Sequence, residues 1–266
     1  MPTITFLTDF GLQDDFVGTC HGVIATIAPD ARVIDLTHGI EPQAVLQGAL
    51  VLRNAIRHTP VGVHLAVVDP DVGGNRRAVA IATRGGRMFV GPDNGLLPLA
   101  ADELGIEAVH ELADPRYRLP EVSRTFHARD IFAPAAAHLA CGVPVDELGP
   151  RVDSGSLVRL ELPRPEVGRT QVHATVLIVD RFGNVATNVR RAEIDALDCE
   201  EGARVEVRLQ LDRYFAVVAG TFADAPAGEL IFYEDSSGLM TLAISQGNAA
   251  RLTGVSAGDE LRIART

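Results

Sequence analysis

Apolar residues in the first part of the chain form short continuous runs that alternate with longer stretches of helical spacing. The short runs predict strands at 4–10, 33–36, 61–68, 78–82 and 88–90, and the longer stretches predict helices at 17–28, 43–57, 96–104 and 131–140. Strands that alternate with helices are typical of a parallel sheet with helices on both faces. We therefore predict an α/β domain with a mostly parallel sheet over residues 1–162.

The pattern changes after residues 163–170, which contain two prolines and a glycine and which we interpret as a linker. Beyond this segment, short apolar runs are separated by turn-forming residues and predict strands at 172–179, 205–211, 215–219, 230–233, 239–244 and 260–263. Many short strands with frequent turns are typical of a small antiparallel sheet or barrel. We therefore predict an all-β barrel domain over residues 171–266.

The net charge and the arrangement of basic residues narrow the classes of molecule that the chain is expected to bind. The chain has 24 basic residues against 35 acidic ones, for a net charge of −11. Nucleic-acid-binding proteins present a basic stripe, whereas the adjacent basic pairs here are Arg76-Arg77 and Arg190-Arg191, so we expect no nucleic-acid partner. Every basic side chain is an arginine, and the lack of lysine excludes Schiff-base and lysine-nucleophile chemistry.

Apolar run lengths, cysteines and histidines indicate the compartment of the protein and whether it binds a membrane or a metal. The longest apolar runs, such as 61–68, are shorter than the ~20 residues of a membrane helix, and the start of the chain lacks the pattern of a signal peptide. Three widely spaced cysteines, Cys20, Cys141 and Cys199, predict neither a disulfide framework nor a zinc cage. No two histidines stand at the spacing of a ligand pair. We expect a cytoplasmic protein with no membrane partner and no metal.

Polar residues follow four of the predicted strands, in the segments 8–11, 35–39, 68–74 and 91–95. In open parallel sheets, ligands bind outside the carboxyl ends of the strands. Turn formation alone accounts for any one of these segments. Four in one domain favour a ligand site at this edge of the sheet.

Two of the candidates have chemistry suited to activating a small molecule. Arg76 follows Asp69 at a distance that lets it fold back, hold the carboxylate ionised and polarise a bound species, although a structural ion pair fits equally well. His127 precedes the helix predicted at 131–140, for which Asp130 is the predicted cap. The helix dipole there favours a neutral imidazole, which can accept a proton or orient a water molecule. A structural role for His127 fits equally well.

In the β domain, the residues around 180–188 form either a simple hairpin or a binding site. In the second case Asn184 reads an amide or a purine edge and Phe182 stacks on a ring. Small polar groups also follow strands at 233–238 and 245–250. Walker loops, nucleophile elbows and dinucleotide fingerprints are absent, so phosphate binding is not indicated.

Together these segments resemble the S-adenosyl-L-methionine (SAM) hydroxide adenosyltransferases, relatives of the fluorinases and chlorinases. The resemblance covers nearly the whole chain in order and rests on residues 8–11 with 14–15, 68–70 with 72–73 and 76, 91–97, 126–127 and 182–184. It implies an α/β domain followed by a β-barrel, and a homotrimer with sites between neighbouring subunits. It also implies that water or hydroxide attacks the ribose C5′ of SAM and releases methionine and adenosine, without a cofactor.

The same resemblance implies a role for each candidate residue. It places the family's catalytic aspartate, arginine and histidine at Asp69, Arg76 and His127, and the aspartate that holds the ribose hydroxyls at Asp9. It further implies methionine contacts from Asp180 and Ser236, adenine contacts from Asn184 and the backbone of Asn248 and Ala249, and apolar packing from Phe126 and Phe222. We also expect Asp14 near the cationic sulfonium and Phe182 as a wall of the nucleoside site.

Two alternatives stay open. The first is a halogenase, although the halogenases have other residues at the three catalytic positions and the fluorinase has a serine where this chain has Ala128. Both differences favour hydrolysis over fluorination, and only the catalytic set argues against chlorination. The second is a sensor that binds adenosine or SAM with negligible turnover. One departure from the family is Asp71, which stands where a glycine is usual.

Overall fold

A computed structural model describes residues 1–266, and the chain divides into two compact units, Met1–Leu160 and Glu161–Thr266. The strands of the first unit are β1 (Thr3–Thr8), β2 (Arg32–Thr37), β3 (Val63–Val67), β4 (Ala78–Thr83), β5 (Met88–Pro92), β6 (Ile106–Glu111) and β7 (Arg151–Val152). Its α-helices are α1 (Phe16–Ile27), α2 (Val45–Ile56), α3 (Pro98–Leu104) and α4 (Ala133–Ala140).

The seven strands of this unit form one sheet in the order β2-β1-β3-β5-β4-β6-β7. The pairs β2–β1, β1–β3 and β3–β5 are parallel, whereas β4 pairs antiparallel with both β5 and β6. Strand β6 therefore runs in the same direction as β1, β2, β3 and β5. The predicted α/β class with a largely parallel sheet is confirmed.

Helices cover both faces of the sheet because side chains alternate along its central strands. On β1, Phe6 packs in the cluster that contains Ile24 of α1, whereas Leu7 packs in the cluster that contains Leu52 of α2. All five residues of β3 are buried, as expected of a parallel strand covered on both faces. This arrangement leaves the carboxyl ends of β1 and β3 as the place where polar side chains emerge.

Three local features of this unit differ from the prediction, the first being the two-residue strand β7, which was not predicted. Strand β6 was not predicted because its apolar residues do not alternate regularly with its polar ones. The helix predicted at 131–140 begins earlier, as a π-helical turn over Ala128–Phe132 that leads into α4. The prediction of Asp130 as its cap is wrong: the buried carboxylate accepts instead from the backbone N–H of Ser123 (2.8 Å) and pairs with Arg129.

The second unit is a closed barrel. Its strands are β8 (Glu166–Val167), β9 (Gln171–Val179), β10 (Val185–Thr187), β11 (Arg204–Leu209), β12 (Asp212–Ala219), β13 (Leu230–Glu234), β14 (Met240–Ile244) and β15 (Glu260–Arg265), with short helices α5 (Arg191–Asp195) and α6 (Ala249–Thr253). Seven strands follow the order β10-β14-β13-β12-β11-β15-β9, and the pairing of β9 with β10 closes the ring. The predicted all-β barrel is confirmed, although β12 and β13 pair in parallel.

The barrel interior is filled by alternating apolar side chains, among them Val207, Phe232, Leu242 and Ile263. The interpretation of 163–170 as a linker stays a prediction, and the short strand β8 lies within it. The longest helices, α1 and α2, have 12 residues each, and no helix combines the length and the apolar character that crossing a membrane requires.

Candidate active site

A cavity of about 390 Å³ opens at the carboxyl ends of β1 and β3. It is lined by Asp9, Phe10, Phe16, Pro42, Gln43, Val67, Asp69, Pro70, Val72, Thr125, Phe126, His127 and Ala128. Two of the predicted strand-end segments, 8–11 and 68–74, therefore contribute to the same cavity. The segment 91–95 does not line the cavity but fixes the chain next to it. Asn94 Nδ2 donates to the backbone oxygen of Val68 (2.8 Å), the residue just before Asp69.

The loop after β3 folds back so that two guanidinium nitrogens of Arg76 donate hydrogen bonds to the carboxylate of Asp69. Arg76 Nε donates to both carboxylate oxygens at 3.0 Å, and Nη2 donates to Oδ2 at 2.5 Å. Both side chains are more than 90% buried, with 8% and 5% of their surface exposed. The fold-back depends on Gly73, whose φ is +79° and where a Cβ would lie 2.2 Å from the backbone oxygen of Arg124. Asp69 is thus held by a rigid, charge-assisted fork.

His127 extends this pair into a chain of three groups. Arg76 Nη2 lies 2.8 Å from His127 Nδ1. Because a guanidinium only donates hydrogen bonds, Nδ1 must accept, and a neutral His127 carries its proton on Nε2. Burial, followed by the positive charge of Arg76, lowers the pKa of His127 below its usual value of 6.5, against the opposing effect of Asp69. The structure therefore brings together Asp69, Arg76 and His127 as carboxylate, guanidinium and neutral imidazole.

Asp9 and an aromatic cluster form the rest of the cavity wall. Asp9 Oδ2 accepts from the backbone N–H of Gln43 (2.8 Å), which leaves lone pairs of the carboxylate available to a ligand. Phe126 meets Phe16 edge to face, with ring centroids 5.1 Å apart, and Phe10 packs on both. This wall suits a flat, partly apolar ligand that also carries hydroxyl groups.

Sequence reasoning missed two parts of this wall. Gln43 contributes a backbone N–H, which no residue-type pattern reveals. Phe16 begins α1, and its place in the periodicity gave no sign that it faces a cavity. Two acids near the site in sequence are not brought to it: Asp14 and Asp71 are exposed and do not line the cavity.

In the second unit, Asp180 organises the turn that holds Phe182 and Asn184. Its Oδ1 accepts from the backbone N–H groups of both residues at 2.9 Å, and its Oδ2 accepts from Asn184 Nδ2 at 2.7 Å. Gly183 lies against Asn248, and its oxygen accepts from the N–H of Ala250. The structure therefore brings the predicted adenine-contacting segments, 182–184 and 248–249, together.

The other predicted residues of this unit lie on neighbouring turns. Asn248 caps α6 by accepting from the N–H of Arg251 at 2.7 Å, so its side chain has a structural partner, and the adenine contact of its backbone stays a prediction. Phe222 packs against Tyr233 with centroids 4.8 Å apart. Ser236 is exposed on the turn between β13 and β14. The binding roles of all these residues stay predictions.

Comparison with known proteins identifies the family of both units. The SAM hydroxide adenosyltransferase N-terminal domain matches residues 4–149, and the SAM hydroxide adenosyltransferase C-terminal domain matches residues 174–262. The chain is 47% identical over 263 residues to a protein of Salinispora arenicola named (R)-S-adenosyl-L-methionine hydrolase, with 98% of this chain and 97% of the relative covered. It is 29% identical over 289 residues to a fluorinase of Nocardia brasiliensis, with 98% and 96% covered.

A solved structure supports the same grouping. The crystal structure of an uncharacterized conserved protein from Thermotoga maritima matches with a TM-score of 0.91 at 39% sequence identity, over 98% of this chain and 100% of that chain. The similarity therefore extends over the full length of both units.

Proposed function

Because the chain belongs to the SAM hydroxide adenosyltransferase family, we propose that it hydrolyses SAM to adenosine and L-methionine. The observation that carries the proposal is the hydrogen-bonded chain Asp69–Arg76–His127 at the edge of the cavity. Names of relatives at 37–47% identity, each (R)-S-adenosyl-L-methionine hydrolase, support the same reaction.

The chemistry requires an activated nucleophile more than an activated leaving group. Methionine leaves from the sulfonium as a neutral thioether, so it needs neither a general acid nor a cofactor. Water, with a pKa of ~15.7, is a weak nucleophile and is the reactant that needs activation. In the proposed step the water oxygen forms a bond to ribose C5′, the C5′–S bond breaks, and its electron pair stays on sulfur. Placement of that water in line with the C5′–S bond supplies the proximity effect.

The hydrogen-bond directions favour one group of the three as the acceptor of the proton. His127 Nδ1 already accepts from Arg76, and its Nε2 carries the proton in the neutral ring, so the imidazole has no free lone pair. Asp69 keeps lone pairs beyond its bonds to Arg76. Carboxylates are weak bases, but the attacking water becomes strongly acidic as its oxygen bonds to carbon. We assign the proton to Asp69 and the orientation of the attacking oxygen to Arg76.

Product analysis tests the proposal and separates it from both alternatives. The purified chain is incubated separately with the R and S forms of SAM in buffer containing chloride and fluoride, and the nucleosides are resolved by chromatography. We expect adenosine and methionine in equal amounts, formed from the R form. A 5′-halo nucleoside formed faster than adenosine would support a halogenase. Adenosine binding without turnover above that of an Asp69→Asn variant would support a sensor.

We further propose that the chain works as a cytoplasmic homotrimer whose sites are completed by neighbouring copies. Large apolar side chains are exposed on both units, including Phe16 (41%) and Phe182 (74%), and assembly would cover such surface. The three cysteines are free, as is usual in a reducing compartment. Light scattering after gel filtration should give three times the 28.3 kDa of the chain, and a monomer mass would contradict the proposed assembly.

Replacing Asp9 tests the ribose contact. We expect Asp9→Asn to raise KM by about tenfold or more, since a hydrogen bond to a charged group contributes about 1.5–3 kcal/mol, while kcat changes less. Steady-state kinetics provides the measurement, and the exposed Asp30 provides the matched control as Asp30→Asn. An unchanged KM, or a loss confined to kcat, would show that Asp9 does not hold the substrate.

The lowered pKa of His127 predicts a particular pH dependence. The neutral ring accepts from Arg76, and protonation replaces that acceptor with a donor facing a cation. Because the pKa lies below 6.5, the contact is complete above pH 6.5 and is lost as the pH falls through the folded-state pKa. Its contribution to folding stability is lost in the same direction. We expect the acid limb of kcat, and the NMR titration of the His127 ring assigned with a His127→Asn variant, to have midpoints below 6.5. Midpoints above 6.5 would contradict the hydrogen-bond assignment.

A further inference from the structure

Two histidines and an aspartate that the proposed reaction does not use converge beside β2. His21 lies on α1, Asp35 lies on β2, and His38 follows that strand. His21 Nε2 is 2.9 Å and His38 Nε2 is 3.2 Å from the same oxygen, Asp35 Oδ1. The three ligand atoms all lie within 4.8 Å of one another, close to the separation of up to about 4.4 Å between ligands that share one ion with bonds of about 2.0–2.2 Å.

The buried member of this cluster has an unsatisfied nitrogen. His38 is only 6% exposed, and its Nε2 makes no hydrogen bond although Asp35 Oδ1 lies 3.2 Å away. An orphaned buried polar atom is costly and requires a partner. Nε2 itself is buried, whereas the neighbouring His21 and Asp35 are 34% and 42% exposed. An ion that reaches His21 and Asp35 from solvent would therefore lie beside His38 Nε2, which is 3.2 Å from Asp35 Oδ1.

The other nitrogen of His38 is held as in known metal sites. Its Nδ1 lies 2.9 Å from Thr8 Oγ1, and metal-bound histidines almost always give their second N–H to an oxygen, which fixes the ring and its tautomer. Thr8 Oγ1 also accepts from the backbone N–H of Phe10 (3.2 Å), and a hydroxyl has two lone pairs for these two donors. In the tautomer whose Nδ1–H donates to Thr8, Nε2 presents a lone pair to the cluster.

We propose that His21, Asp35 and His38 bind one divalent transition-metal ion such as Zn²⁺. Two imidazoles and one carboxylate are the ligands that zinc and its neighbours prefer, whereas Mg²⁺ and Ca²⁺ take oxygen ligands. None of the three residues lines the cavity. The ion therefore has a structural role and links α1, β2 and the loop that follows β2. The proposal does not depend on the proposed hydrolysis. Sequence spacing concealed the site because its ligands come from three different elements.

Metal titration of the untagged chain, after removal of bound metal with a chelator and dialysis, tests this site. Zn²⁺ binding is measured by calorimetry, and Co²⁺ binding is followed by visible absorption, which reports nitrogen and oxygen ligation. We expect one ion per chain. His21→Ala and Asp35→Asn should each weaken Zn²⁺ binding by at least about 100-fold, and Thr8→Val by roughly 10–100-fold, the usual effect of losing a partner that orients a ligand. The exposed His58 provides the matched control, as His58→Ala.

Circular dichroism and melting without metal verify that each variant folds. The side chains of His21 and Asp35 are partly exposed, which favours folding of the variants at these two positions. Zinc should raise the melting temperature of the wild type and of His58→Ala but not of His21→Ala. The absence of binding to the wild type would overturn the proposal. Binding that His21→Ala and Asp35→Asn leave as strong as His58→Ala would also overturn it, by placing the ion elsewhere.

Discussion

An Asp69→Asn variant should lose about 10²–10⁴-fold in kcat, the usual contribution of a positioned proton acceptor. The amide keeps the shape of the side chain and can still accept from Arg76, but it has no charge and cannot take the proton of the attacking water. Because the carboxylate acts on the nucleophile and not on the bound nucleoside, KM should change little.

The comparison that isolates this effect is Asp102→Asn, since Asp102 forms a similar pair with Arg159 on the surface. That variant should keep wild-type kcat. Initial rates of adenosine formation, measured at saturating SAM, give both values. A kcat for Asp69→Asn within about tenfold of the wild type, below the range for a proton acceptor, would remove Asp69 from the chemistry and leave it as a structural partner of Arg76.

An Arg76→Lys variant should lose about 10²–10³-fold in kcat, the range found when one preorganised donor is removed. A lysine keeps the positive charge, but its single ammonium cannot reproduce the planar fork that reaches both oxygens of Asp69 and Nδ1 of His127. Lysine is preferable to alanine here, because removing the charge would leave Asp69 buried without a partner, at a cost of about 3–5 kcal/mol.

The surface pair again supplies the control, as Arg159→Lys, which should leave kcat unchanged. The NMR titration midpoint of the His127 ring is a second measurement, and a general loss of folding stability would not change it. In Arg76→Lys the ring loses its donor, and its titration midpoint should shift relative to the wild type. Equal kcat values for Arg76→Lys and Arg159→Lys would refute a role for the guanidinium fork in activating water.

The fold was predictable to the extent that local periodicity decides it. The alternation of apolar runs and helical stretches located the strands of the parallel sheet, and frequent turns located the barrel. Strand β6 and the π-helical turn at Ala128–Phe132 could not be predicted, because their form depends on packing and not on a period. Asp130 illustrates this limit: its sequence position suits a cap, but its carboxylate accepts from the backbone N–H of Ser123 in the preceding loop.

The candidate site was predictable where a residue follows a strand or precedes a helix. Asp69 and Asp9 follow strands, Arg76 stands close enough to Asp69 to fold back on it, and His127 stands at the start of a helical turn, so local rules identified these residues and the family resemblance added their roles. The backbone N–H of Gln43 escaped the same rules because it meets Asp9 across a long separation in sequence.

In the barrel, local hydrogen bonds explain Asp180 and Asn248 without a ligand. Their binding roles therefore rest on the resemblance alone.

Hydrolysis of SAM in H₂¹⁸O, followed by mass spectrometry of both products, tests the central claim most directly. Attack of water on ribose C5′ predicts that ¹⁸O appears in the 5′-hydroxyl of adenosine and that methionine stays unlabelled. Unlabelled adenosine, label in another product, or a nucleoside with a different group at C5′ would contradict the claim that Asp69, Arg76 and His127 direct water to that carbon.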